Sequence, residues 1–105
     1  LAGKEMEIGR WYLRRNEHLA AVNRFKNVID NYDTTSHTPE ALHRLVESYL
    51  SLGLRGQAIA AASVLQYNYP ESQWYDASYA LIEGGGDGSS QQASNESWLG
   101  RITPW

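Results

Sequence analysis

The residues best suited to specific chemistry are polar ones on helical stretches. Arg24 lies beside a run of apolar positions and is flanked by Asn23, Asn27 and Asn31. A guanidinium presents a planar fork of donors that matches a carboxylate, which suits an interfacial ion pair better than lysine would. The competing reading is a solvated arginine with a local partner, since exposed ion pairs are common and weak. Asn23, Asn27 and Asn31 recur every four residues, along one line of a helix. Asparagine is a poor helix former, so the line reads either as a polar contact surface or as chance composition. Lys4, Arg10, Arg14 and Arg15 form a basic edge, either a docking surface or a solvated face. Glu7 is placed to pair with Arg10, and Glu40 with Arg44. His18, His37 and His43 share no metal-ligand spacing. No serine, histidine and acid stand in a nucleophile context. Gly84 to Gly88 is glycine-rich but follows a helix and lacks the Lys-Ser/Thr of a phosphate loop. The residues therefore suggest no enzyme, no cofactor and no metal.

Composition narrows the classes further. The chain has 105 residues, 9 Lys and Arg against 12 Asp and Glu, and no cysteine. Disulfides, thiolate metal sites and cysteine nucleophiles are excluded for these residues. No apolar run approaches the ~18–20 residues of a membrane span. The net charge of −3 gives no general attraction to nucleic acid.

The elements that must position these residues are all helical. Ile8, Trp11, Tyr12 and Arg15 follow helical spacing and predict a helix over about 2–15, with that face inward. Ala21, Val22, Phe25, Val28, Ile29 and Tyr32 make a second stripe. Thr38-Pro39-Glu40 reads as an N-cap, an N1 proline and a first-turn acid. Leu42, Leu45, Val46, Tyr49 and Leu50 carry the third helix, and Gly53 suits a left-handed terminus. Gly56 precedes a fourth, alanine-rich helix. Ser72 is placed to cap a fifth, which Gly84 should stop.

Self-comparison shows a repeat. Ile8-Gly9-x-x-Tyr12, Ala21, Phe25, Val28 and Asn31-Tyr32 superpose on Leu45-Val46-x-x-Tyr49, Ala58, Ala62, Leu65 and Asn68-Tyr69 with a constant offset of 37. The pattern resembles a tetratricopeptide repeat lengthened by about three residues in the Ser36-His37-Thr38 turn. It departs from that pattern at Val46, where glycine is expected, at Ala62 for an aromatic, and at Asp33 for proline. The expected fold is all-α: two tetratricopeptide-like helical hairpins and a C-terminal capping helix over 1–83. Residues 84–105 read as a Gly/Ser/Gln-rich flexible tail.

Longer runs resemble one family. Lys4-Glu5-Met6-Glu7-Ile8-Gly9-Arg10-Trp11-Tyr12-Leu13 and Ala20-Ala21-Val22-Asn23-Arg24-Phe25 are similar to the C-terminal part of BamD (ComL-type) outer-membrane lipoproteins. So are Tyr32-Asp33-Thr34-Thr35, Ala41-Leu42-x-Arg44-Leu45-Val46-Glu47-x-Tyr49, and Ala61-Ala62-x-Val64-Leu65-x-x-Asn68-Tyr69-Pro70-x-Ser72-x-Trp74-Tyr75. The resemblance implies a non-enzymatic scaffold of the β-barrel assembly machinery, at the periplasmic face of the outer membrane. It implies docking to the BamA POTRA domain nearest the barrel, contact with accessory lipoproteins, and a lipid anchor upstream of Leu1. The arginine of the family's Val-Asn-Arg motif, which contacts an acidic residue of BamA, falls on Arg24. The resemblance carries over Arg24 alone; the helix-face readings above add Asn23, Asn27, Asn31 and Arg14 to the candidate partner-binding set.

The alternative function is a generic tetratricopeptide adaptor that takes a peptide or helix in its groove. In the tail, Trp98, Leu99, Ile102 and Trp105 restore apolar character. They read either as a short docking motif or as a segment that folds back on the chain's own apolar surface.

Overall fold

In the computed structural model, residues 1–32 and 36–85 are described. Asp33, Thr34 and Thr35 of the first inter-repeat turn lie outside them, as do Trp98, Leu99, Ile102 and Trp105. Five helices follow one another: α1 (Ala2–Arg14), α2 (His18–Asn31), α3 (Thr38–Ser51), α4 (Arg55–Asn68) and α5 (Gln73–Gly85). Each packs on its sequence neighbour, and α5 also packs on α3. This is the stacking of helical hairpins.

The repeat offset holds at the level of single dihedral angles. Asn16 has φ 60° and Gly53, 37 residues on, has φ +78°. The backbone N–H of Glu17 donates to the Tyr12 carbonyl at 2.9 Å, and that of Leu54 to the Tyr49 carbonyl at 2.8 Å. Asn16 N–H donates to Leu13 and Gly53 N–H to Leu50. Each hairpin thus turns through the same left-handed closure, which satisfies carbonyls that the helix end would leave open. Tyr32 and Tyr69 end the second helices alike, donating to Val28 and Leu65 at 2.8 Å each.

The core explains two departures from the repeat pattern. A Cβ on Gly9 would lie 2.6 Å from Phe25 Cε1 and 2.7 Å from Cζ, and Phe25 is fully buried. At the same two positions the second repeat carries Val46 and Ala62, both fully buried. One hairpin uses no side chain against a ring, and the other a branched side chain against a methyl. Such exchanges keep volume and are well tolerated in cores.

Several sequence expectations need correction. The buried face of α1 is Ala2, Met6 and Gly9; of the Ile8, Trp11, Tyr12 and Arg15 line, Tyr12 packs against the core, Ile8 is half-buried, and Trp11 and Arg15 are exposed. Trp11 is 46% exposed, with the Arg15 guanidinium 4.7 Å over its ring and Tyr12 at its edge. Both lines have helical spacing; the approach of Phe25 to Gly9 selects the one that turns inward. Thr38 is the first residue of α3 and His37 its N-cap. The Thr38 hydroxyl donates instead to the Tyr32 carbonyl at 3.3 Å, tying the start of α3 to the end of α2. Gly56 lies inside the first turn of α4. α5 runs through Gly84 to Gly85, within the usual one- or two-residue play of helix ends. Ser72 does cap α5, its Oγ accepting the Trp74 N–H at 3.0 Å.

Candidate functional site

The polar face of α2 is set by its own apolar stripe. Ala21, Val22, Phe25 and Val28 are buried, which turns Asn23 and Asn31 outward and leaves Arg24 and Asn27 half-buried on the flanks. Arg24 Nη1 donates to Glu5 Oε1 of α1 at 3.3 Å, with the two side chains 40% and 19% exposed. Glu5 therefore steadies the guanidinium, and the remaining donors have no partner among the described residues. A held, outward-facing fork of this kind can meet a carboxylate on another surface.

The asparagine line divides. Asn31 Nδ2 donates to the Asn27 side-chain oxygen, and at 3.3 Å to the Asn27 carbonyl. Asn68 makes the same bond to Val64, 37 residues later, at 3.3 Å. The Asn31 bond to its own helix is thus a feature of the repeat's end. Asn23 alone of the three is exposed with no partner among the described residues.

Arg14 is not part of this patch. It lies in the last turn of α1, nine residues beyond Glu5, or about 13 Å along the axis at 1.5 Å per residue. It borders a separate hollow with Leu13, His18, Arg44, Glu47 and Ser51.

A second polar assembly crosses α1, α3 and α5. Arg10 grips Glu40 with two bonds, Nε to Oε2 at 2.9 Å and Nη2 to Oε1 at 2.8 Å. Glu40 also accepts from Arg44 at 3.2 Å, as its spacing suggested, and Arg44 reaches Glu47 at 3.0 Å. The Arg44 guanidinium sits 5.2 Å over the Trp74 ring. His43 Nε2 faces Glu47 at 3.5 Å, and its Nδ1 lies 2.8 Å from Ser78 Oγ of α5. A carboxylate only accepts, so the Nε2 hydrogen points to Glu47.

The expected Glu7–Arg10 pair is replaced by the bidentate bond to Glu40, which lies on another helix. The Arg10 hydrogen bonds hold the Glu40 carboxyl below the usual carboxylate range, against the opposing effect of burial. Burial pushes Glu47 up, but hydrogen bonds from His43 and Arg44 outweigh it and hold it low as well. Arg10 is raised in turn, chiefly by its bond to Glu40. The cross-helix pairs left no trace in the sequence, because residues 10 and 40 share no local spacing.

Among the described residues no three His, Asp or Glu side chains gather as a metal site, and no helix is long and apolar enough to cross a membrane. The described residues present charges and apolar surface on packed helices.

Comparison with known proteins agrees with this frame. A family model described as YfiO, outer membrane lipoprotein, matches residues 1–65. The chain is 59% identical over 83 residues to the outer membrane protein assembly factor BamD of Rickettsia prowazekii, covering 79% of this chain and 33% of that protein. It is 56% identical over 86 residues to BamD of Caulobacter vibrioides, covering 82% and 28%. BamD of Neisseria meningitidis serogroup A is 36% identical over 72 residues, covering 69% and 27%. The chain spans about a third or less of the length of these relatives. No solved structure matches it significantly.

Proposed function

The chain belongs to the YfiO family of outer membrane lipoproteins, and from that premise we propose that it is a scaffold module of the machinery that assembles outer-membrane proteins, acting at the periplasmic face of that membrane. The observation that carries this reading is identity above one half to two BamD assembly factors over 79% and 82% of the chain. Its work is to hold surfaces in place, without chemistry of its own.

The docking surface we propose is the Arg24 flank of α2, with Asn23 beside it and Glu5 beneath. The partner is the BamA POTRA domain nearest the barrel, through an acidic residue that takes up the free donors of Arg24. Asn27 contributes less, because its side-chain oxygen is engaged by Asn31. Arg14 lies outside this surface, beside the hollow that His18 and Glu47 line. The adaptor alternative asks the α1/α3/α5 face to offer polar anchors to a peptide. There Arg10, Glu40, Arg44 and Glu47 are already bound to one another, which favours the scaffold reading.

The test is binding of a POTRA-containing BamA fragment to the Arg24→Glu variant. An interfacial charge pair that loses one partner costs about 2–5 kcal/mol, so affinity should fall at least ~30-fold. The helical spectrum and melting temperature should change little, since the Glu5 pair is partly exposed. Unchanged affinity would remove Arg24 from the interface.

A further inference from the structure

An apolar groove runs between α2 and α4 over α3, on the side of α3 away from the Arg10–Glu40 pairs. Ile29, Leu42, Leu45, Tyr49, Ala61 and Val64 line it, and its volume is about 390 Å³. That is within the ~300–1,000 Å³ of a typical binding cleft.

The repeat relates this groove to the Arg24 surface. Moved back by the offset of 37, its α3 wall of Leu42, Leu45 and Tyr49 falls on Glu5, Ile8 and Tyr12 of α1. Its α4 wall of Ala60, Ala61 and Val64 falls on Asn23, Arg24 and Asn27 of α2. Arg24 thus holds in the first hairpin the position of Ala61 in the second. Glu5, its partner at 3.3 Å, holds that of Leu42. The two surfaces are one structural place repeated, polar in the first copy and apolar in the second. α2 stands between them. It gives Asn23, Arg24 and Asn27 to one, and Lys26, Ile29 and Asp30 to the other.

We propose, building on the docking reading of Arg24, that both places belong to one interface: the partner that offers a carboxylate to Arg24 also seats a large apolar side chain in the groove. Interface size brings the groove in. A stable contact covers about 800 Å² of each partner, a disc of about 16 Å radius. Lys26, Ile29 and Asp30 lie two to six residues beyond Arg24, or about 3–9 Å along α2, and about 10 Å across it. The groove wall therefore falls inside a disc centred on Arg24.

The chemistry of the two copies is complementary. A half-exposed arginine–carboxylate pair adds little affinity by itself. Binding energy concentrates where a large side chain fills a desolvated pocket. Glu5, Asn23 and Asn27 set polar atoms beside Arg24, whereas the groove supplies an apolar floor. Lys26 and Asp30, exposed between them and not ion-paired among the described residues, suit the polar rim of such a contact. The partner surface thus carries an acidic side chain and, about one helix width away, an exposed Leu, Ile, Met or Phe.

The test uses the full 105-residue chain and the POTRA-containing fragment of the Arg24 experiment. Ala60 is an exposed lining residue of α4. Ala60→Glu puts a charge over the groove, and affinity should fall at least ~10-fold with the circular dichroism spectrum unchanged. In the unaltered chain, adding the fragment should shift the methyl resonances of Ile29, Leu42, Leu45 and Val64. Those shifts decide the matter even where Ala60→Glu fails to fold. Affinity lost in Arg24→Glu but kept in Ala60→Glu, with the groove methyls unmoved, overturns the shared interface and leaves the Arg24 reading standing. Affinity kept in Arg24→Glu but lost in Ala60→Glu removes Arg24 and overturns the shared interface with it. Methyl shifts confined to Leu1, Ile8 and Leu19 place the apolar contact elsewhere and also overturn it.

Discussion

Replacing Gly9 by alanine sets two physical effects against each other. Alanine in a helix interior is favoured over glycine by about 1 kcal/mol. Against that, the new Cβ would stand 2.6, 2.7 and 3.1 Å from three atoms of the Phe25 ring. The ring is fully buried. Overpacking a filled core costs about 1–3 kcal/mol, and three ring contacts this short belong at the upper end. The balance is a loss of about 2 kcal/mol. For a domain of this size that lowers the melting temperature by roughly 8–16 °C. Thermal and urea unfolding, followed by circular dichroism, measure it. The second repeat supplies an internal control, because Val46 and Ala62 fill the equivalent positions. A chain with Gly9→Val and Phe25→Ala together should be less destabilised than the sum of the single changes by at least ~1 kcal/mol. A stabilised Gly9→Ala protein would show that propensity governs the site and that the ring yields. Additive single changes would refute the paired-volume argument.

The Arg24→Glu binding experiment should show lost POTRA affinity with an unchanged melt. Gly53, at φ +78° with open space around it, is limited by backbone alone: Gly53→Ala should cost about 1–2 kcal/mol in urea unfolding. Gly53→Asn should cost less, because Asn16 already occupies the equivalent left-handed position. The Glu40 carboxyl is held low chiefly by the Arg10 hydrogen bonds. Its stabilisation is therefore complete above the unfolded pKa of about 4.3 and is lost as the pH falls through the lower folded value. The urea midpoint of Glu40→Gln should lie below that of the parent at pH 7, and the gap should close on acidification below about pH 4. A gap independent of pH would sink that assignment.

Much of the fold was legible because helix periodicity and helix ends are local. The offset of 37 holds for apolar positions, for the left-handed residues Asn16 and Gly53, and for the Asn31 and Asn68 side-chain bonds. Ser72 was readable as a cap for the same reason. The inward face of α1 was not, since two lines of residues satisfy the same period there. Among candidate site residues, the outward flank of Arg24 followed from the stripe beside it. Its bond to Glu5, the engagement of Asn27 by Asn31, and the distance of Arg14 did not.

The sequence by itself determined that this chain is a repeated helical hairpin with a polar flank at Arg24, because those properties depend on spacings within one or two turns. Only the tertiary structure decided which residues complement one another across helices. Gly9 makes room for Phe25, Val46 and Ala62 reverse that division of volume, and Arg10 passes over Glu7 to hold Glu40. These choices depend on how closely and at what rotation two helices approach. No spacing along a single helix encodes that distance.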